Sequence, residues 1–171
     1  MNKERHQTSN MKLITILLFL TIAQLSFSQA PKIYDPTADA KLALKKAVSD
    51  ADSLTKHVLV MIGGNWCPWC LKINKFLFED EVLDSIVKAN YIVVKVNYSK
   101  ENMNLDVLKS LDFPQRFGFP VMVILNNKGA RIHTQDSGFL ESDETYDRKK
   151  MTLFLNNWSF HALMPENYVK K

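Results

Sequence analysis

The sequence predicts an α/β domain in which a central mixed sheet of about four strands is covered by helices on both faces. Two observations indicate this class. Short apolar runs of strand length alternate with segments whose apolar residues recur at helical spacing. Late in the chain, two strand-like runs are separated by an Asn-Asn-Lys-Gly turn signal, so they are expected to pair as a hairpin. The resulting order, αβ-α-α-β-α-ββ-α, suits a sheet between helices.

The first half of the domain supplies one predicted strand and three helical segments. Residues 37–54 carry alanine, leucine and valine at helical spacing, with lysines on the other face. The run 57–62 contains five consecutive apolar residues, which indicates a strand buried on both faces. Residues 71–78 are predicted as a helix that follows the cysteines, and a second helical stretch begins at Asp80 or Glu81.

The second half supplies the remaining strands and the last helix. The predicted elements are strands at 91–98, 121–125 and 130–134, a weaker helix at 102–112 and a helix at 147–158. The stretch 136–150 is polar and poorly periodic. It is interpreted as a solvated loop inserted between the last strand and the last helix.

The N-terminus has the pattern of a secretory signal peptide. An eleven-residue, mostly apolar run begins at Leu13, directly after Lys12, and small residues follow. The run is shorter than the ~20 residues that span a bilayer, although an uncleaved membrane anchor stays open as an alternative. Cleavage is expected after Ser28, and Met11 is an alternative start of translation to Met1.

The predicted organisation is a signal peptide at 1–28, an extended leader at 29–36 and one folded domain at 37–171. A chain of 171 residues suits one domain, and its 46% hydrophobic and 23% charged residues are typical of a globular protein. The net charge of +4 is mild, and no basic patch is interleaved with aromatic residues. These features argue against nucleic-acid binding. The domain is expected to be a monomer.

Both cysteines of the chain lie in one motif at a predicted helix start, Trp66-Cys67-Pro68-Trp69-Cys70. A helix N-terminus presents unpaired N–H groups and the positive end of the helix dipole, and both favour a thiolate. The pKa of Cys67 is therefore expected below the free value of ~8.5. Cys70 lies one helical turn away and can attack a mixed disulfide to release the partner. Pro68 suits the first helical position, where its missing N–H would be unpaired anyway.

Export changes the interpretation of the cysteines, because a pair can persist as a disulfide in an oxidising compartment. The ring closed by a Cys67–Cys70 bond is too small to be a useful structural staple, which favours a redox-active disulfide. Metal binding is the main rival. A structural zinc site needs about four ligands, usually with several cysteines, and the chain offers two cysteines and scattered histidines. The sequence therefore predicts neither a metal nor another cofactor.

With these features, the chain resembles the thioredoxin-like superfamily over about residues 37–160. It looks closest to the exported branch that includes the C-terminal domain of the transmembrane disulfide reductase. The matching elements are the strand 58–62, Trp66-Cys67-x-x-Cys70, the strand residues 93–97, and Gly118-Phe119-Pro120 before a strand. The resemblance implies a thioredoxin-like fold, with Cys67 as the attacking thiolate and Cys70 as the resolving thiol.

The resemblance also implies supporting roles for the residues around the cysteines. Pro120 would be the family's cis-proline, leaving the backbone of Phe119 to pair with an extended substrate segment; a trans proline at a strand edge is the alternative. Trp66 would form a wall of the site. Trp69 would shield the sulfurs or contact a partner, unless it is a partly exposed turn aromatic.

One departure from the family concerns the proton of the resolving thiol. Thioredoxins carry a buried acid in the strand six residues before the first cysteine, and this chain has Met61 there. Lys95 matches the family's partner lysine, with a solvated strand lysine as the alternative. Deprotonation of Cys70 through Lys95, through water or through a substrate group all stay open.

The predicted function is an exported thiol–disulfide oxidoreductase that acts on cysteine-containing exported proteins through a mixed disulfide at Cys67. Either direction of electron flow is compatible with the sequence, and a membrane-bound redox partner is expected. The alternatives are a non-catalytic binding or chaperone module that uses Trp69 and the Phe119-Pro120 segment, and an accessory protein of metal or cytochrome maturation. The expected location is periplasmic or secreted, or membrane-anchored where the leader is retained.

Overall fold

Four strands form the main sheet in the computed structural model, which describes residues 32–169. They are β1 (His57–Gly63), β2 (Tyr91–Asn97), β3 (Val121–Leu125) and β4 (Arg131–Asp136). Their order in the sheet is β2-β1-β3-β4. β2 runs parallel to β1, whereas β3 is antiparallel to both β1 and β4. The predicted mixed sheet of four strands is confirmed, while the predicted signal peptide at 1–28 lies outside the described residues.

Five α-helices accompany the sheet in the described part of the chain. They are α1 (Ala40–Leu54), α2 (Pro68–Glu79), α3 (Glu81–Asn90), α4 (Leu105–Ser110) and α5 (Arg148–Asn157). Asp39, Asp80 and Asp147 cap the N-termini of α1, α3 and α5 by accepting hydrogen bonds from backbone N–H groups of the first turn. None of the helices within residues 32–169 is long and apolar enough to span a bilayer.

The sheet separates two apolar clusters, which explains why β1 is apolar throughout. Val58, Val60 and Ile62 pack on one face with residues of α1 and α4. Leu59 and Met61 pack on the other face with residues of α2, α3 and α5. Because successive strand residues point to opposite faces, a central strand between two helical layers buries every side chain.

The stretch 136–150 differs from its interpretation as a solvated loop. After β4 the chain forms a 3₁₀ turn at Ser137–Leu140 and a two-stranded hairpin of β5 (Glu141–Ser142) and β6 (Thr145–Tyr146). Leu140 and Tyr146 are buried in the cluster that contains α2 and α5. These two buried side chains therefore anchor the insertion to the domain. The hairpin was not predicted because strands of two residues are too short to show an alternating pattern.

Candidate active site

The two cysteines lie where β1 gives way to α2, and they are joined in a disulfide with their Cα atoms 5.2 Å apart. Cys67 is the N-cap of α2, with an extended backbone, and Pro68 occupies the first helical turn. The backbone N–H of Cys70 donates a hydrogen bond to Cys67 Sγ at 3.2 Å. The sulfur of Cys67 is thus held at a helix N-terminus, where N–H groups and the dipole stabilise negative charge on a thiolate.

Both cysteines are buried, and Cys67 is the less completely buried of the two. Cys70 is 0% exposed, whereas Cys67 retains 4% exposure at the surface. A partner that arrives from solvent can therefore reach Cys67 first, while Cys70 lies behind it on the first turn of α2. This is the order of roles that the resemblance implies.

The Phe119–Pro120 segment lies directly against Cys67. The peptide bond between these two residues is cis, and the carbonyl oxygen of Phe119 is 3.7 Å from Cys67 Sγ. Gly118 precedes them with a φ of 85°, in the left-handed region that glycine adopts without strain. The backbone before β3 therefore lies beside the sulfur of Cys67.

Three aromatic rings form a wall next to this segment. The Phe119 ring stacks on Tyr98 at a centroid distance of 4.6 Å and meets Trp66 edge-on at 5.7 Å. The indole Nε1–H of Trp66 donates a 2.6 Å hydrogen bond to the carbonyl of Tyr98, yet the side chain is 57% exposed. Trp66 therefore has a fixed orientation and an open apolar face beside Cys67.

Comparison with known families agrees with this geometry. A family model described as thioredoxin-like matches residues 39–127, which is more than half of the chain. The chain belongs to the thioredoxin-like family. The search of curated proteins found no match.

The chain is also similar to solved structures. A disulphide isomerase from Xylella fastidiosa Temecula1 superposes with a TM-score of 0.66 at 24% identity, covering 74% of this chain and 96% of its own. A thioredoxin from Thermus thermophilus matches with a TM-score of 0.44 at 18% identity, covering 66% of this chain and 84% of its own. At 24% identity, the likeness to the isomerase establishes the fold of this chain.

Trp69, inside the thioredoxin-like motif, packs against the inserted hairpin. Its ring meets Tyr146 edge-on at 5.4 Å, and the Tyr146 hydroxyl donates to the Trp69 carbonyl at 3.3 Å. The ammonium of Lys72 lies 4.1 Å from the centroid of the indole ring. Trp69 is half-buried and also contacts the cluster that contains both cysteines. The insertion after β4 therefore supports one side of the motif.

Met61, the predicted departure from the family, and Lys95, the predicted match to its partner lysine, lie side by side in the sheet. Met61 is fully buried and is paired in register with Lys95 of β2. The Lys95 ammonium lies 5.1 Å from the centroid of Phe78, near the C-terminal end of α2, whereas the cysteines lie at its N-terminal end. Burial lowers the pKa of Lys95. A role of Lys95 at the sulfurs stays a prediction.

Tyr34, like Tyr98 and Asn65, is a site residue that the sequence analysis does not predict. It falls in the stretch 29–36, interpreted as an extended leader, yet it is fully buried in one cluster with Cys67 and Cys70. Asn65 fixes this contact, because its side-chain oxygen accepts hydrogen bonds from the N–H groups of Ile33 and Tyr34 at 3.0 and 3.1 Å. Its amide nitrogen donates to the Tyr34 carbonyl at 2.6 Å. The adjacent apolar side chains of Ile33 and Tyr34 in a short leader were the only available signal.

Proposed function

We propose that this protein is an exported thiol–disulfide oxidoreductase that exchanges disulfides with extracytoplasmic proteins. The placement of Cys67 carries the proposal. Its sulfur caps the N-terminus of α2 and accepts the N–H of Cys70, and Cys67 is the less completely buried cysteine of the pair. In the reduced protein, the N–H groups and the helix dipole at this position would favour a thiolate, which is the nucleophile of thiol–disulfide exchange.

The exchange proceeds in two displacements at sulfur. The Cys67 thiolate attacks a partner disulfide, a Cys67–partner bond forms, and the other partner sulfur leaves as a thiolate that takes a proton from water. Cys70 then loses its proton and attacks Cys67 Sγ, so that the mixed disulfide breaks and the second partner thiolate leaves. Two electrons pass from the cysteine pair to the partner. The reverse sequence donates a disulfide to the partner.

The surface around Cys67 supports a polypeptide as the partner. The Phe119 backbone lies beside the sulfur, where an extended segment of a partner can align with it. The exposed face of Trp66 adjoins this backbone and offers apolar contact to the residues that flank a partner cysteine. Contacts with a partner's backbone and with one flat aromatic face depend little on the partner's side chains, so they suit many cysteine-containing proteins.

The N-terminal pattern supports an extracytoplasmic site of action. A lysine, an apolar run of eleven residues and small residues at the expected cleavage point are typical of a secretory signal peptide. We place the mature protein in the periplasm or outside the cell, with a membrane-bound redox partner that resets the cysteine pair.

Reduction of insulin by dithiothreitol tests the catalytic proposal. We expect the purified protein to accelerate the reaction, Cys67→Ser to be no faster than the uncatalysed control, and Cys70→Ser to accumulate a mixed disulfide with insulin. Full activity of Cys67→Ser would refute the proposal.

The exposed Trp66 face also favours a second candidate, a non-catalytic module that holds unfolded exported chains. Cys67→Ser separates the two functions, since holding does not need a thiolate. Undiminished protection of an aggregating protein by Cys67→Ser, without any redox activity in the unaltered protein, would favour this candidate.

A further inference from the structure

Tyr34 carries a buried hydroxyl whose hydrogen-bonding capacity is unused. The side chain is 0% exposed, and within residues 32–169 its oxygen has no hydrogen-bond partner. Buried polar groups in folded proteins are nearly always paired, because a donor removed from water loses its solvation without compensation. An unpaired hydroxyl beside a reactive cysteine pair therefore indicates a role in another state of the site.

The unused hydroxyl and the Cys70 sulfur both lie next to the position that a side chain of residue 63 would take. A Cβ atom built on Gly63 would lie 2.5 Å from Cys70 Sγ and 3.2 Å from the Tyr34 oxygen. The sulfur and the hydroxyl thus both lie next to the position of this Cβ, and they fit there because residue 63 is glycine. Tyr34, Cys67 and Cys70 also form one buried cluster.

We propose that the Tyr34 hydroxyl is the hydrogen-bond donor for the Cys70 sulfur when the pair is reduced. In the disulfide, Cys70 Sγ shares an electron pair with Cys67 Sγ, carries no charge and is a weak acceptor. After two electrons enter and the S–S bond breaks, Cys70 Sγ carries its own electron pair and becomes a stronger acceptor, most of all as a thiolate. This inference rests on the proposed thiol–disulfide exchange.

The phenol acts as a donor and does not remove the Cys70 proton. Burial, and then repulsion by Tyr146, raises the pKa of Tyr34 far above its ordinary value, so the hydroxyl keeps its proton at neutral pH. The Cys70 proton passes to water or to the departing partner thiolate. The hydrogen bond from Tyr34 then stabilises the Cys70 thiolate.

The loop that carries the cysteine motif also holds Tyr34 in place. Asn65, two residues before Cys67, makes three hydrogen bonds to the backbone of Ile33 and Tyr34. The ring is therefore positioned by the same loop as the sulfurs, as a hydrogen bond to a reacting atom requires.

A donor that is paired only after reduction favours the reduced form of the cysteine pair. Tyr34→Phe keeps the ring and removes the donor. We expect the equilibrium with glutathione to shift about tenfold toward the disulfide, which for this two-electron couple is a reduction potential ~30 mV lower. The oxidised variant should be no less stable than the unaltered protein, since it loses only an unpaired hydroxyl. The reduced variant should be less stable than the reduced unaltered protein.

The test equilibrates the purified protein, Tyr34→Phe and Tyr91→Phe with a glutathione redox series and quantifies the reduced pair. Tyr91 is the matched control, because it is also buried and its hydroxyl donates to the Leu155 carbonyl at 2.6 Å. We expect Tyr91→Phe to leave the redox equilibrium unchanged and to lower the stability of both redox forms equally. If Tyr34→Phe does not accumulate in folded form, Tyr34→Met provides the same test, because it also lacks the hydroxyl.

The outcomes separate this inference from the proposed function. Equal glutathione equilibria of the unaltered protein and Tyr34→Phe would overturn the role of Tyr34 and leave the oxidoreductase standing. An equal loss of stability in both redox forms of Tyr34→Phe would also overturn the role of Tyr34. That result would mean that the hydroxyl contributes only to packing, which does not depend on the redox state. A pair that fails to exchange with glutathione in the unaltered protein would remove the proposed function itself.

Discussion

Gly63 is a position at which a single added methyl group should disturb the packing around Cys70. Its missing side chain leaves room for Cys70 and Tyr34 at the end of β1. In Gly63→Ala, the new Cβ would lie 2.5 Å from Cys70 Sγ, 3.1 Å from Cys70 Cβ and 3.2 Å from the Tyr34 oxygen. Ordinary contacts of a Cβ atom begin near 3.4 Å. Because Cys70 is held by its disulfide and by α2, neither the sulfur nor the β carbon can move aside without shifting the helix.

The size of the effect follows from this overlap. Overpacking of a core typically costs about 1–3 kcal/mol. Replacement of glycine also reduces the freedom of the unfolded chain, which offsets up to ~1 kcal/mol where the backbone conformation permits alanine. We expect a net loss of about 1–2 kcal/mol for the oxidised protein. For a chain of this length that corresponds to a fall in melting temperature of roughly 2–8 °C.

Thermal unfolding followed by circular dichroism measures the change. Gly138→Ala is the control, because its added Cβ would have one contact at 3.2 Å, to the Asp136 carboxylate, and the next only at 4.0 Å. We expect the melting temperature of the control to stay within about 2 °C of that of the unaltered protein. A Gly63→Ala variant as stable as Gly138→Ala would show that the end of β1 is not packed as described.

Three further predictions concern pH, partner recognition and export. Burial lowers the pKa of His57, so stability should be full above pH ~6.5 and fall as the pH drops below it; melting temperatures of His57→Gln against pH should lack this fall. Trp66→Ala should lower kcat/KM for a protein disulfide about tenfold and leave that for a small disulfide unchanged, as expected for an exposed aromatic contact. N-terminal sequencing of protein from a secreting host should begin at Gln29; a start at residue 1 or 11 would contradict cleavage.

The elements with strong local signals could be predicted from the sequence. β1 is a continuous apolar run, and the turn before β4 carries its own signal, so the sheet and the position of Cys67 follow from nearby residues. Pro68 likewise indicates the start of α2, because proline suits the first turn of a helix. In these places local preference and tertiary packing agree.

The missed features depend on contacts between distant residues. Tyr34 joins the site through hydrogen bonds to Asn65, more than thirty residues away in sequence, and a short leader offers no period from which to infer burial. Leu140 and Tyr146 anchor the inserted hairpin in the same non-local way. Their burial follows from the finished fold, so no local pattern in the sequence indicates it.

Met61, Lys95 and Tyr34 together determine which charged or polar groups are available near the resolving cysteine. An uncharged side chain at position 61 leaves Lys95 without a buried carboxylate at its register neighbour, and its ammonium lies over the Phe78 ring instead. A carboxylate beside Cys70 would accept its proton but would also repel the thiolate that forms. A neutral phenol donates to that thiolate and repels nothing, although it cannot accept the proton. With the hydrogen bond that we propose from Tyr34, the thiolate of Cys70 is stabilised without an acid at position 61, and its proton is expected to pass to solvent or to the leaving partner thiolate.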